Sequence, residues 1–268
     1  MKIGLIGIGK MGSALLEGLL QSQLCAAEEV SVFDKEKSAV AACLKKNPIH
    51  AATSNAEVIE RSDAVLLCVK PQDCQAVLES LPPSLPGRLL ISIAAGIPIR
   101  ALDRWTSSKH RIARVMPNTP ALVGKGVSAF VLSPSASSED RALTQRILES
   151  VGLAFEVTES QLDAVTGLSG SGPAYIFAII EALADGGVLE GLPKALALKL
   201  ATQTLAGAAE LVQQTGLHPA QLKDQVTSPG GTTIAGLYAL EKAGLRAALM
   251  DAVSAATARS KSLGAAFS

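Results

Sequence analysis

At 268 residues the chain is long enough for one large domain or two smaller ones, and it can bury a sizeable core without disulfide or metal staples. Its 24 basic and 24 acidic residues cancel, no basic face or tail is visible, and aromatic content is only 3%, which argues against nucleic acid as the main partner. Cys25, Cys43, Cys68 and Cys74 have no metal-ligand spacing and Cys68 lies in an apolar strand pattern, so a reduced, cytoplasmic protein without a metal is expected.

Lys2 before an apolar run imitates a secretory leader, but Lys10 and Glu17 interrupt that run. The longest uncharged stretch, Ala164 to Ile180, is rich in Gly and Ser and contains Pro173; it reads as a poor membrane span, and no membrane partner is expected.

Met1 to Ile6 reads as a short apolar strand. It runs into Gly7-Ile8-Gly9-Lys10-Met11-Gly12, a G-x-G-x-x-G that opens a helix. In that setting Gly7 permits the turn, Gly9 lets a pyrophosphate approach the backbone, and Gly12 lets helix and strand pack closely. The phosphates would meet free N–H groups at the helix N-terminus. A second strand, Val30 to Phe33, ends at Asp34, 22 residues past Gly12, where an acid receives the ribose hydroxyls of NAD and repels a 2′-phosphate. Lys35 and Lys37 soften that preference, so NADH is favoured over NADPH on Asp34 alone.

A weak third strand is expected near Ala51-Ala52, with Asn55 as the N-cap of the next helix. Ala64 to Val69 is a continuous apolar run, as in a buried parallel strand, and stops at Lys70-Pro71. Further strands are expected at Arg88 to Ile93, Arg111 to Met116, Val127 to Leu132 and Leu153 to Val157. This βαβ series predicts a Rossmann-like doubly wound sheet over residues 1–157. Each segment singled out leaves a strand at its carboxyl end, where such sheets bind ligands. Lys70 meets a phosphate, offers its backbone to the nicotinamide half, or is merely solvated. Asn118, in Pro117-Asn118-Thr119-Pro120, orients the nicotinamide or closes an Asx turn.

From residue 158 to 268 strand patterns vanish and Ala/Leu-rich helices take over, starting at prolines and stopping at Gly186-Gly187 and Gly216. Ala178, Ala182 and Gly186 repeat small residues every four positions, which suggests close helix packing. So few polar faces imply a surface buried against a second subunit. Two glycine-rich segments stand out here: Ala164 to Tyr175, with hydroxyls at Thr166, Ser169 and Ser171, and Thr227 to Gly236, where Gly231, Thr232 and Thr233 would offer N–H groups to a carboxylate or phosphate. Each is otherwise a compact bend or a capped helix start. His50, His110 and His218 lie apart, no nucleophile–base pair suggests itself, and hydride transfer to an already activated acceptor fits what remains.

Asp163 to Tyr175, Ser228-Pro229-Gly230-Gly231-Thr232-Thr233-Ile234, Val69-Lys70-Pro71-Gln72 and Met116 to Pro120 together resemble the pyrroline-5-carboxylate reductase family, in the right order over nearly the whole chain. The resemblance implies reduction of the C=N bond of (S)-1-pyrroline-5-carboxylate to L-proline with NADH or NADPH, the last step of proline synthesis. It implies that the substrate carboxylate rests on Gly231, Thr232 and Thr233 with Ser228 nearby, that Thr166 meets the ring nitrogen as the catalytic residue, and that Asn55, Val69, Lys70, Pro71 and Ala95 line the cofactor. It implies a homodimer of interleaved C-terminal helices and, in larger assemblies, rings of dimers such as a decamer. Asp34 departs from the many members that tolerate a 2′-phosphate there. A β-hydroxyacid dehydrogenase also begins G-x-G-x-M-G, but it needs a lysine on the helix after the interdomain glycines, and Pro173 to Ile180 has none. A nucleotide sensor without turnover is the reading from another class; the two glycine-rich helical segments argue against it, because they imply a second ligand.

Overall fold

The computed structural model describes residues 1–82, 84–85 and 87–267. Strands and helices alternate through β1 (Ile3–Ile6), α1 (Lys10–Gln21), β2 (Val30–Phe33), α2 (Lys37–Leu44), β3 (His50–Ala51), α3 (Asn55–Arg61), β4 (Ala64–Leu67), α4 (Pro71–Glu79), β5 (Leu89–Ser92), α5 (Ile99–Trp105) and β6 (Arg111–Met116). β7 (Gly126–Leu132), α6 (Ser138–Glu149) and β8 (Gly152–Glu156) close the series. The sheet order is β3-β2-β1-β4-β5-β6-β7-β8, parallel except where β7 meets β6. The chain steps outward one way from β1 and the other way from β4, so the switch point lies between those two strands.

Both faces of the sheet are covered, which is why the strands read as unbroken apolar runs. Successive side chains alternate faces: Ala64 and Leu66 of β4 pack with Leu15, Leu16 and Leu19 of α1, while Val65 and Leu67 pack with the α3–α5 side. Burying each of those three α1 leucines contributes on the order of 2 kcal/mol. Helix starts follow local chemistry. The Ser54 hydroxyl accepts the Glu57 N–H at 3.2 Å, so Ser54, not Asn55, caps α3, and Asn55 is the first helical residue. Ser137 and Asp140 form a reciprocal capping box on α6.

After β8 come α7 (Leu162–Val165), a π-helical turn Thr166–Gly170, and then α8 (Gly172–Leu189), α9 (Lys194–Thr215), α10 (Pro219–Gln225), α11 (Thr232–Lys242) and α12 (Leu245–Ala265). The chain forms two compact units, Met1–Ser171 with Ser254 onward, and Gly172–Val253. The division therefore falls later than residue 157. Leu162 is buried, and Ser260 of the returning α12 donates its hydroxyl to Asp163 at 2.6 Å, which ties this stretch to the first unit. The end of α12 also seats there: a Cβ on Gly264 would lie 3.0 Å from the Gly96 carbonyl, and Phe267 stands edge-on to Trp105 at 5.8 Å.

The second unit is all helix. α8 runs through Gly186-Gly187, so that pair is not a stop; it ends near Gly191, at φ +93°. Gly187 lets α9 come close, since a Cβ there would sit 3.2 Å from that of Ala197. Ile180 and Ala184 pack with Ala197 and Ala201. The expected stripe Ala178, Ala182 and Gly186 is exposed instead, with nothing within 4 Å of a Cβ at Gly186. Gly216 ends α9 in the left-handed conformation, as its position predicts.

Candidate active site

A cavity of about 520 Å³ opens at the carboxyl edge, at the switch point. Gly7, Gly9, Asp34, Asn55, Val69 and Lys70 line it, all expected from the sequence. The glycines divide the work. Gly7 has φ +94°, and a Cβ there would press within 2.8 Å of the Cys68 carbonyl. A Cβ on Gly12 would fall 2.4 Å from the Gly7 oxygen, so the first turn of α1 sits directly on the loop. Nothing lies within 4 Å of a Cβ at Gly9, which faces open space where a ligand can approach the backbone.

Lys10 and Met11 begin α1, where no earlier carbonyl can take their N–H groups, and Gly9 provides no side-chain cap. That end is an anion seat. Ile8 is different: its side chain is in the core, and its N–H is already given to Asp34 at 2.7 Å. Asp34 also accepts the Glu36 N–H at 2.9 Å. Each carboxylate oxygen keeps a lone pair for a ribose hydroxyl. Lys35, across the rim, is engaged by Asp73 at 3.1 Å.

Asn55 carries a sharper signal. Its Oδ1 is buried in the cavity wall and has no hydrogen-bond partner. A buried acceptor left unpaired is costly, so the site fits a ligand hydroxyl at this point. The neighbouring loop is tied by hydrogen bonds. Glu57 takes the Thr53 N–H, the Thr53 hydroxyl and the His50 Nε2, each at 2.7 Å, and these bonds hold its carboxyl down at about 2. Burial pushes the thiols of Cys68 and Cys74 up to about 12, which removes both as nucleophiles. Among the described residues no group of three or more His, Cys, Asp or Glu is placed to hold a metal.

Not every expected residue lines this cavity. Pro71 starts α4, whose Asp73, Ala76, Val77 and Ser80 extend the wall. Those four were missed in the sequence, although their three- and four-residue spacing marks one helix face. Ala95 is exposed on the β5–α5 loop, next to Gly96 and the end of α12.

Thr166 begins the π-helical turn, closed by the Ser171 N–H on the Thr166 carbonyl at 2.8 Å. Its hydroxyl proton goes to the Leu162 carbonyl at 2.8 Å, which leaves its lone pairs free to accept. Asn118 neither faces the cavity nor closes an Asx turn. It is buried, and its amide spans the Val127 N–H (2.9 Å) and the Ser169 carbonyl (3.2 Å).

In the second unit, Gly230 turns at φ +67° and Gly231 opens α11 with no side-chain cap and no acid in the first turn. A Cβ on Gly231 would lie 2.3 Å from the Ser228 hydroxyl oxygen. The first-turn N–H groups of Thr232 and Thr233 have no earlier helical carbonyl to meet, so this helix start, with the Ser228 hydroxyl beside it, can seat an anion, a carboxylate as well as a phosphate.

Residues 2–96 match the family described as NADP oxidoreductase, coenzyme F420-dependent, and residues 159–263 match pyrroline-5-carboxylate reductase dimerisation. The chain is 46% identical to the pyrroline-5-carboxylate reductase of Methanosarcina acetivorans, over 98% of each protein. It belongs to the pyrroline-5-carboxylate reductase family. Solved structures agree. The Plasmodium falciparum enzyme with NADP bound is similar at 37% identity and a TM-score of 0.88, and that of Coxiella burnetii at 33% and 0.90, each over 98% of both chains.

Membership in the pyrroline-5-carboxylate reductase family accounts for the apolar surface of the second unit. Phe177, Leu189, Tyr238 and Met250 are 64%, 86%, 69% and 71% exposed in the single chain, large apolar side chains of the kind that a partner subunit covers. The helical run Glu159–Leu189, which contains the stretch Ala164 to Ile180 read as a poor span, is long and apolar enough to cross a membrane by length and composition alone. It coincides with the start of the dimerisation match, and a partner subunit covers such a face as well as lipid would.

Proposed function

We infer that the protein reduces (S)-1-pyrroline-5-carboxylate to L-proline by hydride transfer from NADH or NADPH, and that it works as a homodimer. The observation that carries this is full-length membership in a reductase family by a chain whose switch-point cavity is built for a dinucleotide. The bound nicotinamide supplies the hydride. The protein's residues bind and orient.

The cyclic imine is electrophilic once protonated, so no strong general acid is needed. Its ring N–H is a donor, and the free lone pairs of Thr166 suit it; the Thr166 proton is committed to Leu162. The start of α11, with Gly231, Thr232, Thr233 and the Ser228 hydroxyl, suits the substrate carboxylate. For the cofactor, Gly9 to Met11 suit the pyrophosphate, Asn55 a ribose hydroxyl, and Val69 to Pro71 with Ala95 the nicotinamide half. Asp34 favours NADH, because a 2′-phosphate would bring negative charge against its carboxylate. A cytoplasmic location and assembly of dimers into a decamer belong to the same reading.

Purified protein mixed with pyrroline-5-carboxylate and each reduced cofactor should consume the cofactor and yield one proline per nicotinamide oxidised. Binding of NADH or NADPH without oxidation of either would leave only the sensor reading.

A further inference from the structure

We propose that Asn118 is a positioning residue that holds the wide turn Thr166–Gly170, and with it Thr166, in place for the reaction. The proposal rests on the reading of Thr166 given above.

The need for such a residue is written in the backbone. In an α-helix the Ser169 carbonyl would accept from the N–H four residues on. That residue is Pro173, which has no N–H, and whose ring would crowd the same carbonyl. The chain answers by widening. Ser171 reaches back five residues to Thr166, a π-turn of the kind that concentrates at functional sites. Pro173 denies the Ser169 carbonyl the donor it would have in an α-helix, and the Asn118 Nδ2 reaches that carbonyl at 3.2 Å.

The other end of the same amide is fixed as well. Val127 at the start of β7 offers an N–H, which only Oδ1 can accept, at 2.9 Å. One partner donates and the other accepts, so the amide has a single satisfactory orientation. Asn118 is 8% exposed, which keeps water from replacing either bond. Beneath the turn, a Cβ on Gly170 would fall 2.4 Å from the Met116 methyl, so Met116 fills the space under it. Met116 and Asn118 leave the same strand end, and together they seat the turn on the first unit's sheet. A shift of one ångström in a positioned group can cost about a hundredfold in rate.

Asn118→Asp keeps the shape and the acceptor for Val127 but turns the donor into an oxygen facing the Ser169 carbonyl. Hydrogen exchange should show the Ser171 amide opening faster, while amides of the Gly7–Gly12 loop keep their wild-type rates. Kinetically kcat should fall tenfold or more with cofactor affinity unchanged. In a double-mutant cycle with Thr166→Ala, the combined enzyme should be no slower than Thr166→Ala alone, because both changes disable one unit. Unchanged Ser171 exchange, or wild-type kcat in Asn118→Asp beside a slow Thr166→Ala, would overturn the proposal. Wild-type kcat in Thr166→Ala by itself overturns the reading of Thr166 and is seen separately. Should Asn118→Asp not fold, Asn118→Ser can satisfy one partner but not both, and should move exchange and kcat in the same direction.

Discussion

The Asp34 carboxylate accepts the backbone N–H of Ile8 at 2.7 Å, so the residue proposed to read the ribose also pins the fingerprint loop. Two consequences separate. Asp34→Ser removes the charge that opposes a 2′-phosphate, and the NADPH-to-NADH ratio of kcat/KM should rise on the order of tenfold, about 1.4 kcal/mol. It also shortens the side chain that holds Ile8, so KM for both cofactors should rise. Steady-state kinetics with each cofactor measure both. An unmoved ratio would mean that Asp34 holds the loop and reads nothing.

Lys35 sets a second lever on the same choice. It is tied to Asp73 at 3.1 Å on the cavity rim. Asp73→Asn frees its ammonium for a 2′-phosphate, so KM for NADPH should fall while that for NADH stays put. The gain should fade with added salt, because the ammonium is largely exposed. Thermal stability should hardly change, since an exposed ion pair contributes little.

Much of this site was legible before the fold. Gly7, Gly9, Asp34, Lys70 and the strand between Ala64 and Leu67 announce themselves because a parallel strand needs an apolar run and a pyrophosphate needs bare backbone. Other features were hidden for physical reasons. Ser54 and Asn55 are both good caps, and only the backbone decides which one turns its side chain to the Glu57 N–H. Gly186-Gly187 looks like a stop because glycine favours a helix end, but a glycine also lets two helices touch, and Ala197 sits against Gly187. Asn118 was singled out but given the wrong roles, because its partners Val127 and Ser169 are 9 and 51 residues away.

The start of α11 should govern substrate without touching cofactor. Thr233→Ala and Ser228→Ala each remove a hydroxyl beside the free N–H groups and leave the backbone seat. Substrate KM should rise about tenfold, the effect of one charge-assisted hydrogen bond. Cofactor KM should hold. Wild-type substrate KM in both variants would move the carboxylate elsewhere.

Glu159 is a joint in the first unit although its side chain is 41% exposed. Its Oε1 takes Arg114 Nη1 at 2.9 Å and the Ile99 N–H at 2.8 Å. Arg114 is 8% exposed. Glu159→Ala leaves that guanidinium without its counter-charge, and because the Glu159 side chain is itself so exposed the loss should be on the order of 1 kcal/mol of unfolding free energy. Pairing it with Arg114→Met removes the stranded charge and should recover part of the loss. Denaturant melts of the two variants test this, and a double variant less stable than Glu159→Ala would refute the account.

His110 gives the fold a pH dependence whose sign can be worked out. The ring is buried, its Nδ1 accepts the Arg88 N–H at 3.2 Å, and burial pushes its pKa below the ordinary 6.5. As pH falls through 6.5 the unfolded chain binds a proton that the native ring still refuses. Stability should therefore be full above that value and decline below it, until the native ring titrates. His110→Asn keeps an acceptor for Arg88 but cannot be protonated in this range, so its stability should change less between about pH 7.5 and 5.5. Urea melts at the two pH values, on wild type and variant, measure the difference. Equal changes in both would show that the native ring takes up its proton as readily as the unfolded chain does.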